Sequence, residues 1–164
     1  MYLHTNGILH RDLKPENLLL RQEWDNTTNE YKQILKIADF GSALSLRSSL
    51  DLSKELNAFV GTPNYLCPEI LQGQVQAETA FAVDWWAAGC CAYWVLSRGK
   101  ILFDAATEYL VYKAIENGPH LSIVKECCEA DDVVGEIIIG LLELNPKRRL
   151  DFVNGDLLQL ITRL

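Results

Sequence analysis

The chain has 164 residues, 49% of them apolar, enough for one domain with an interior of its own, so disorder is not the default. Its 15 Lys and Arg against 22 Asp and Glu give a net charge of -7, which excludes a general nucleic-acid or membrane-surface binder. The most apolar stretch, Ala80 to Leu96, is broken by Asp84 and is too short for a bilayer. Nothing in residues 1–20 resembles a secretory signal, so a cytoplasmic, reducing setting is expected.

Residues Met1 to Thr5 read as a helix tail closed by Asn6-Gly7. Leu18 to Leu20 and Ile34 to Ile37 read as two paired strands around an extended polar tip, Gln22 to Gln33, for which no function is evident. The sequon Asn26-Thr27-Thr28 in that tip reads as a polar turn without glycan. Ser42 to Phe59 lacks steady periodicity and is expected to be a mobile loop.

Beyond Pro63 the pattern turns helical. A short helix is expected over Cys67 to Leu71, a buried one over Val83 to Ser97, and an amphipathic one over Thr107 to Glu116 ended by Asn117-Gly118-Pro119. Asp131-Asp132 then caps a helix to about Leu144, stopped by Asn145-Pro146, and Phe152 to Leu164 offers a last one. Trp85, Trp86 and Trp94 sit at helical spacing and read as core, whereas His4 and His120 have no nameable partner and read as exposed. The five cysteines, at Cys67, Cys90, Cys91, Cys127 and Cys128, show no CxxC spacing and are expected to be free thiols, buried or partly buried.

The chemistry is concentrated in two blocks, HRDLKPEN at His10 to Asn17 and DFG at Asp39 to Gly41. Phosphoryl transfer to a hydroxyl needs a group to receive or orient the acceptor proton, and cations to neutralise phosphate charge. Asp12 is the candidate for the first task, and Lys14, two positions on, can reach the transferring phosphate. Asn17 and Asp39 offer the oxygen ligands that magnesium takes. Gly41, after Phe40, gives the second block backbone freedom.

On these residues the chain resembles the C-terminal lobe of a eukaryotic serine/threonine protein kinase, over nearly its whole length. The resemblance implies ATP and Mg2+ as cofactors and a protein as substrate. It makes Asp12 the catalytic aspartate, Lys14 the phosphate contact, and Asn17 and Asp39 the metal ligands, with Glu16 and Leu19 beside the nucleotide. Lys14 with Gly61-Thr62 is similar to the serine/threonine branch, Gly61 and Thr62 lying in the activation segment. Cys67-Pro68-Glu69 stands where the family has APE, Asp84 where an aspartate holds the catalytic-loop backbone, and Arg149 where an arginine pairs with Glu69. His10 and Phe40 resemble members of a buried stack, and Leu19, Cys91 and Val95 the lower members of a second one around the adenine.

Phe59-Val60-Gly61-Thr62 with Tyr65, and the segment Glu108 to Lys113, are most similar to the phosphoinositide-dependent kinase of the AGC group. That family has a phosphorylated serine before the Phe-Val-Gly-Thr run, whereas this chain has Ala58. A loop phosphate there would pair with Arg11. Phosphorylation at position 58 is therefore expected to play no part in activation.

No GxGxxG loop and no VAIK-type lysine occur in the sequence. The fold expected is mainly α with a small β-hairpin: a C-terminal lobe with the N-terminal lobe missing, that lobe being required for a full nucleotide site. An incomplete gene model or a truncated protein would account for this, with weak or absent activity in the isolated chain. The alternative reading is a truncated, non-catalytic kinase-like module that binds partners.

Overall fold

The computed structural model describes residues 2–48, 50–118, 120–127 and 133–149. Helix α1, Tyr2–Thr5, ends at Asn6 and at Gly7, whose φ of 72° is the left-handed conformation that lets the chain reverse. Strand β1, Ile8–Leu9, comes next and pairs antiparallel with β4, Leu44–Ser45, in the register Leu9 opposite Leu44. Between them lie a 3-10 turn at Pro15–Asn17 and the hairpin of β2, Leu18–Asp25, with β3, Glu30–Ile37. The catalytic-loop candidates and the Asp39 turn are thus both anchored within a few residues of a sheet.

The hairpin is longer than the sequence suggests. Pairing continues through Gln22 opposite Gln33 to Asp25 opposite Glu30, leaving a tip of residues 26–29. Alternation puts Leu18, Leu20, Trp24, Tyr31, Leu35 and Ile37 on one face, and charged residues such as Glu23 and Lys32 dominate the other. Trp24 and Tyr31 meet edge to face at 5.1 Å, a cross-strand pair that holds the distal ribbon together.

The expected mobile loop at 42–59 also contains order. Besides β4 it forms α2, Leu52–Leu56, where Asp51 caps the helix by accepting from the Lys54 amide at 3.2 Å, and Leu56 is buried. Two antiparallel sheets therefore stand beside seven α-helices among the described residues. This corrects the expectation of a mainly helical lobe carrying one small hairpin.

Helix α3, Pro68–Leu71, leads to α4, Ala82–Leu96, which is apolar on all sides and correspondingly buried. At Gly89 a Cβ would lie 2.9 Å from Leu141 Cβ, so the absence of a side chain lets α4 approach α7, Val133–Leu141. Helix α5, Glu108–Asn117, is capped by Thr107 and ended by Gly118 at φ 68°. Helix α6, His120–Cys127, has no counterpart in the sequence reading, and the expected cap at Asp131-Asp132 and the helix over 152–164 lie outside the described residues.

Trp86 centres the core, stacked on Phe103 at 5.8 Å with His120 edge-on to both rings. Trp85 and Trp94 are only partly buried. Cys67, Cys90 and Cys91 are buried free thiols, and burial pushes each of them up, Cys91 to about 12, so none is a thiolate at neutral pH.

His120 is fully buried rather than exposed, and it shares a hydrogen bond of 2.9 Å with the Leu142 carbonyl. Burial lowers its pKa, the carbonyl bond opposes that, and Arg149 adds to the lowering. The folded imidazole thus resists a proton that the unfolded one accepts below about pH 6.5. Its contribution to stability is complete above that pH and declines as the pH falls toward the lower folded value. Melting curves between pH 7.5 and 5 should show this slope, and His120→Phe, although less stable throughout, should show a flatter one.

Candidate active site

The candidate loop is built around a buried carboxylate contributed by α4. Asp84 Oδ2 accepts the His10 amide at 2.9 Å and Oδ1 the Arg11 amide at 2.9 Å, while His4 Nε2 lies 2.8 Å from Oδ2. Those bonds hold Arg11 at φ 65°, a conformation costing a non-glycine residue about 1–3 kcal/mol. His4, read from sequence as exposed, is instead partly buried and stacked on Phe81 at 4.5 Å. Its carboxylate partner lies eighty residues downstream, and no local pattern announces it.

His10 is fully buried. Its Nδ1 accepts from the Asp12 amide at 3.3 Å, which leaves Nε2 to donate to the Ala38 carbonyl at 3.0 Å. Phe40 lies edge-on to the ring at 5.1 Å but keeps 49% exposure, so this stack is open to solvent on one side.

The two chemical blocks meet at Asn17, whose carbonyl accepts from the Ala38 amide at 2.9 Å beside Asp39. Asn17 Nδ2 donates to the Asp12 carbonyl at 2.8 Å and more weakly to its Oδ2 at 3.4 Å, leaving Oδ1 as the oxygen available to a cation. Asp39 takes φ 61°, and its Oδ1 accepts from the Gly41 amide at 3.2 Å in a tight local turn. Asn17 and Asp39 offer hard oxygen donors on adjoined segments, a donor set suited to magnesium.

Asp12, Lys14 and Thr62 close a triangle. Lys14 Nζ donates to Asp12 Oδ2 and to Thr62 Oγ1, each at 2.9 Å, and the Thr62 hydroxyl donates to Asp12 Oδ1 at 2.7 Å. Partial burial pushes the Asp12 carboxyl upward, but the Thr62 and Lys14 hydrogen bonds and the ammonium charge outweigh it and hold it below the usual aspartate value. Asp12 is therefore ionised at neutral pH. Gly61 makes the approach possible: at φ 114°, a Cβ there would lie 2.7 Å from the Arg11 carbonyl.

Glu16 is exposed in the 3-10 turn, and Leu19 is exposed on the hairpin face opposite Leu18. Cys91 and Val95 do not join Leu19; they line a 520 Å³ apolar cavity together with Leu18, Leu35, Ile37 and Trp85. Farther out, Arg149 makes a two-pronged pair with Glu69, Nη1 to Oε1 at 2.6 Å and Nη2 to Oε2 at 3.1 Å, both side chains being buried. Its remaining donors reach the Ala82, Glu143 and Leu144 carbonyls, and its guanidinium lies 5.0 Å over the Trp86 ring.

Residues 1–156 match the protein kinase domain family. The chain belongs to that family. The kinase chain is 39% identical over 160 residues to the serine/threonine-protein kinase ksg1 of Schizosaccharomyces pombe, covering 91% of itself and 24% of that protein. It is 35% identical to 3-phosphoinositide-dependent protein kinase B of Dictyostelium discoideum, covering 90% of itself and 14% of the relative. Among solved structures it resembles that of the Rad53 kinase domain and SCD2, with a TM-score of 0.62 and 26% identity over 93% of this chain and 47% of that one. The chain spans about a quarter or less of the length of these curated relatives.

These findings correct the expectation of a lone C-terminal lobe. A kinase-domain match across 1–156, with both β-sheet and α-helical elements of the fold in place, leaves no ground for describing the chain as one lobe. The accompanying expectation of a missing N-terminal lobe, required as a partner before nucleotide can bind, falls with it. Among the described residues no helix is long and apolar enough to cross a membrane.

Proposed function

We propose that this chain carries the phosphoryl-transfer centre of a serine/threonine protein kinase, using ATP and Mg2+ on a protein substrate. The closed triangle of Asp12, Lys14 and Thr62 carries the reading. It supplies an ionised carboxylate beside a fixed ammonium, and a threonine hydroxyl already occupies one carboxylate oxygen as an acceptor hydroxyl would. Nucleotide and cation, when bound, supply the phosphoryl group and neutralise its charge.

Asp12 would accept the proton of the attacking hydroxyl while that oxygen forms its bond to the γ-phosphorus and the bond from that phosphorus to the β,γ-bridging oxygen breaks, ADP leaving with the electron pair. Lys14 balances charge on the transferring group. Asn17 and Asp39 hold the cation, and Glu16 and Leu19 border the nucleotide. Asp84 and His10 act through the backbone they position, Phe40 and Gly41 through the turn that carries Asp39, and Glu69 with Arg149 through the fold. Similarity to the phosphoinositide-dependent relative places the chain near the AGC group, and its buried free thiols suit a cytoplasmic setting.

Radiolabelled γ-phosphate transfer to a serine- or threonine-containing protein, with and without Mg2+, tests the reading. Metal-dependent labelling that Asp39→Ala abolishes is the expected result. Nucleotide binding with no labelled product from the natural protein would favour the non-catalytic binding module instead.

A further inference from the structure

The geometry points to a self-association surface: the uncharged face of the β2–β3 ribbon packs against the same face of a second copy of this chain, about a two-fold axis along the Gln22–Gln33 rung. From the root outward, that face carries Leu18 with Ile37, Leu20 with Leu35, Gln22 with Gln33 and Trp24 with Tyr31. No charged side chain stands on it, because Arg21, Glu23, Asp25, Glu30, Lys32 and Lys36 all alternate to the other face. Among the described residues neither strand packs extensively against any element but its hairpin partner. Leu20, Trp24, Tyr31, Leu35 and Ile37 accordingly keep 41% to 69% exposure.

That is more apolar surface than a solitary face usually carries. These five side chains present on the order of 600 Å², the upper end of the roughly 300–600 Å² found for the largest patch on a monomer. Two such faces together bury about 1,200 Å², which passes the ~1,000 Å² that a specific interface needs. A two-stranded ribbon is also marginal in water until something covers its apolar side.

The order of the rungs favours a second copy as the cover. The leucine rung and the aromatic rung lie one step either side of the amide rung. A two-fold axis there sets the two leucines of each copy against the two rings of the other, so large meets small. The amides, each carrying donors and an acceptor, meet their own kind and can satisfy one another. Charge argues the same way. A net charge of -7 opposes the approach of two copies through charged surface, whereas this face brings none, and a basic partner would find no carboxylate on it.

Light scattering and sedimentation of the natural protein test the surface. At about 100 μM the mass should be twice that of one chain, and a monomer at that concentration would overturn the proposal. In this packing Gln22 faces Gln22 of the other copy. Gln22→Glu should therefore raise the dissociation constant about tenfold or more by setting like charges opposite each other, and Gln22→Lys should do the same. Mixing the two variants should bring the affinity back to within about threefold of the natural value, a recovery that unfolded variants could not show. Arg21→Gln, on the charged face, should leave association unchanged. Undiminished association of Gln22→Glu, its loss in Arg21→Gln, or a mixture that stays monomeric with natural melting curves would each sink the proposal.

Discussion

Asp12→Asn is expected to lower kcat for phosphoryl transfer by about 10²–10⁴-fold, the range contributed by a positioned general base. The substitution keeps the shape of the side chain, and its carbonyl oxygen can still accept the Thr62 hydroxyl, which donates at 2.7 Å in the natural protein. What it removes is proton affinity and negative charge. The amide would also face the Lys14 ammonium, which now donates to Oδ2 at 2.9 Å, so Lys14 loses its anchor as well. KM for nucleotide should change far less than kcat, because Asn17 and Asp39 are untouched. Steady-state kinetics with a melting curve check both halves: a loss below about fivefold at unchanged stability would remove Asp12 from the chemistry.

Breaking the Glu69–Arg149 pair should have the largest effect on stability. Either side chain, left buried without its partner, is an uncompensated charge, and such losses cost about 3–5 kcal/mol. Total stabilities are typically about 5–15 kcal/mol. Glu69→Gln keeps the shape and some hydrogen bonding, so it sets the lower end. Arg149→Met also strips donors from the Ala82, Glu143 and Leu144 carbonyls and should be worse. In urea, where slopes are about 1–3 kcal/mol per molar, Glu69→Gln should lower the midpoint by at least about 1 M. A shift under about 0.3 M for both variants would show that the pair contributes little.

Much of the candidate site was legible because its residues lie in two short blocks, and the spacing of Asp12, Lys14 and Asn17 is preserved directly in the turn that carries them. Helix α5 was legible for a similar reason, since Thr107 and Gly118 mark its ends with local signals. What escaped depends on distant or main-chain partners. His4 and His120 look alike in sequence, polar and unpaired, yet one meets Asp84 and the other the Leu142 carbonyl. Arg11 donates to the Ser42 and Glu55 carbonyls, and every residue possesses a carbonyl, so nothing in the side-chain sequence of 42–58 indicates these contacts. The hairpin was underestimated because Gln22 and Gln33 interrupt its apolar face, and the Trp24–Tyr31 pair beyond them shows only when the strands are placed in register.

The ribbon formed by β2 and β3 is rooted at Leu18 and Ile37, next to Asn17 and Ala38, and its far end, from Gln22 and Gln33 to the tip at 26–29, carries none of the residues assigned to the chemistry. Evolution can therefore remodel its far end as an independent appendage. Adding or deleting one residue from each strand together moves the turn to a new rung while each surviving side chain keeps its side of the sheet. An unmatched change instead forces a bulge, or turns the rest of that strand over. Length differences among natural variants should accordingly come in matched steps.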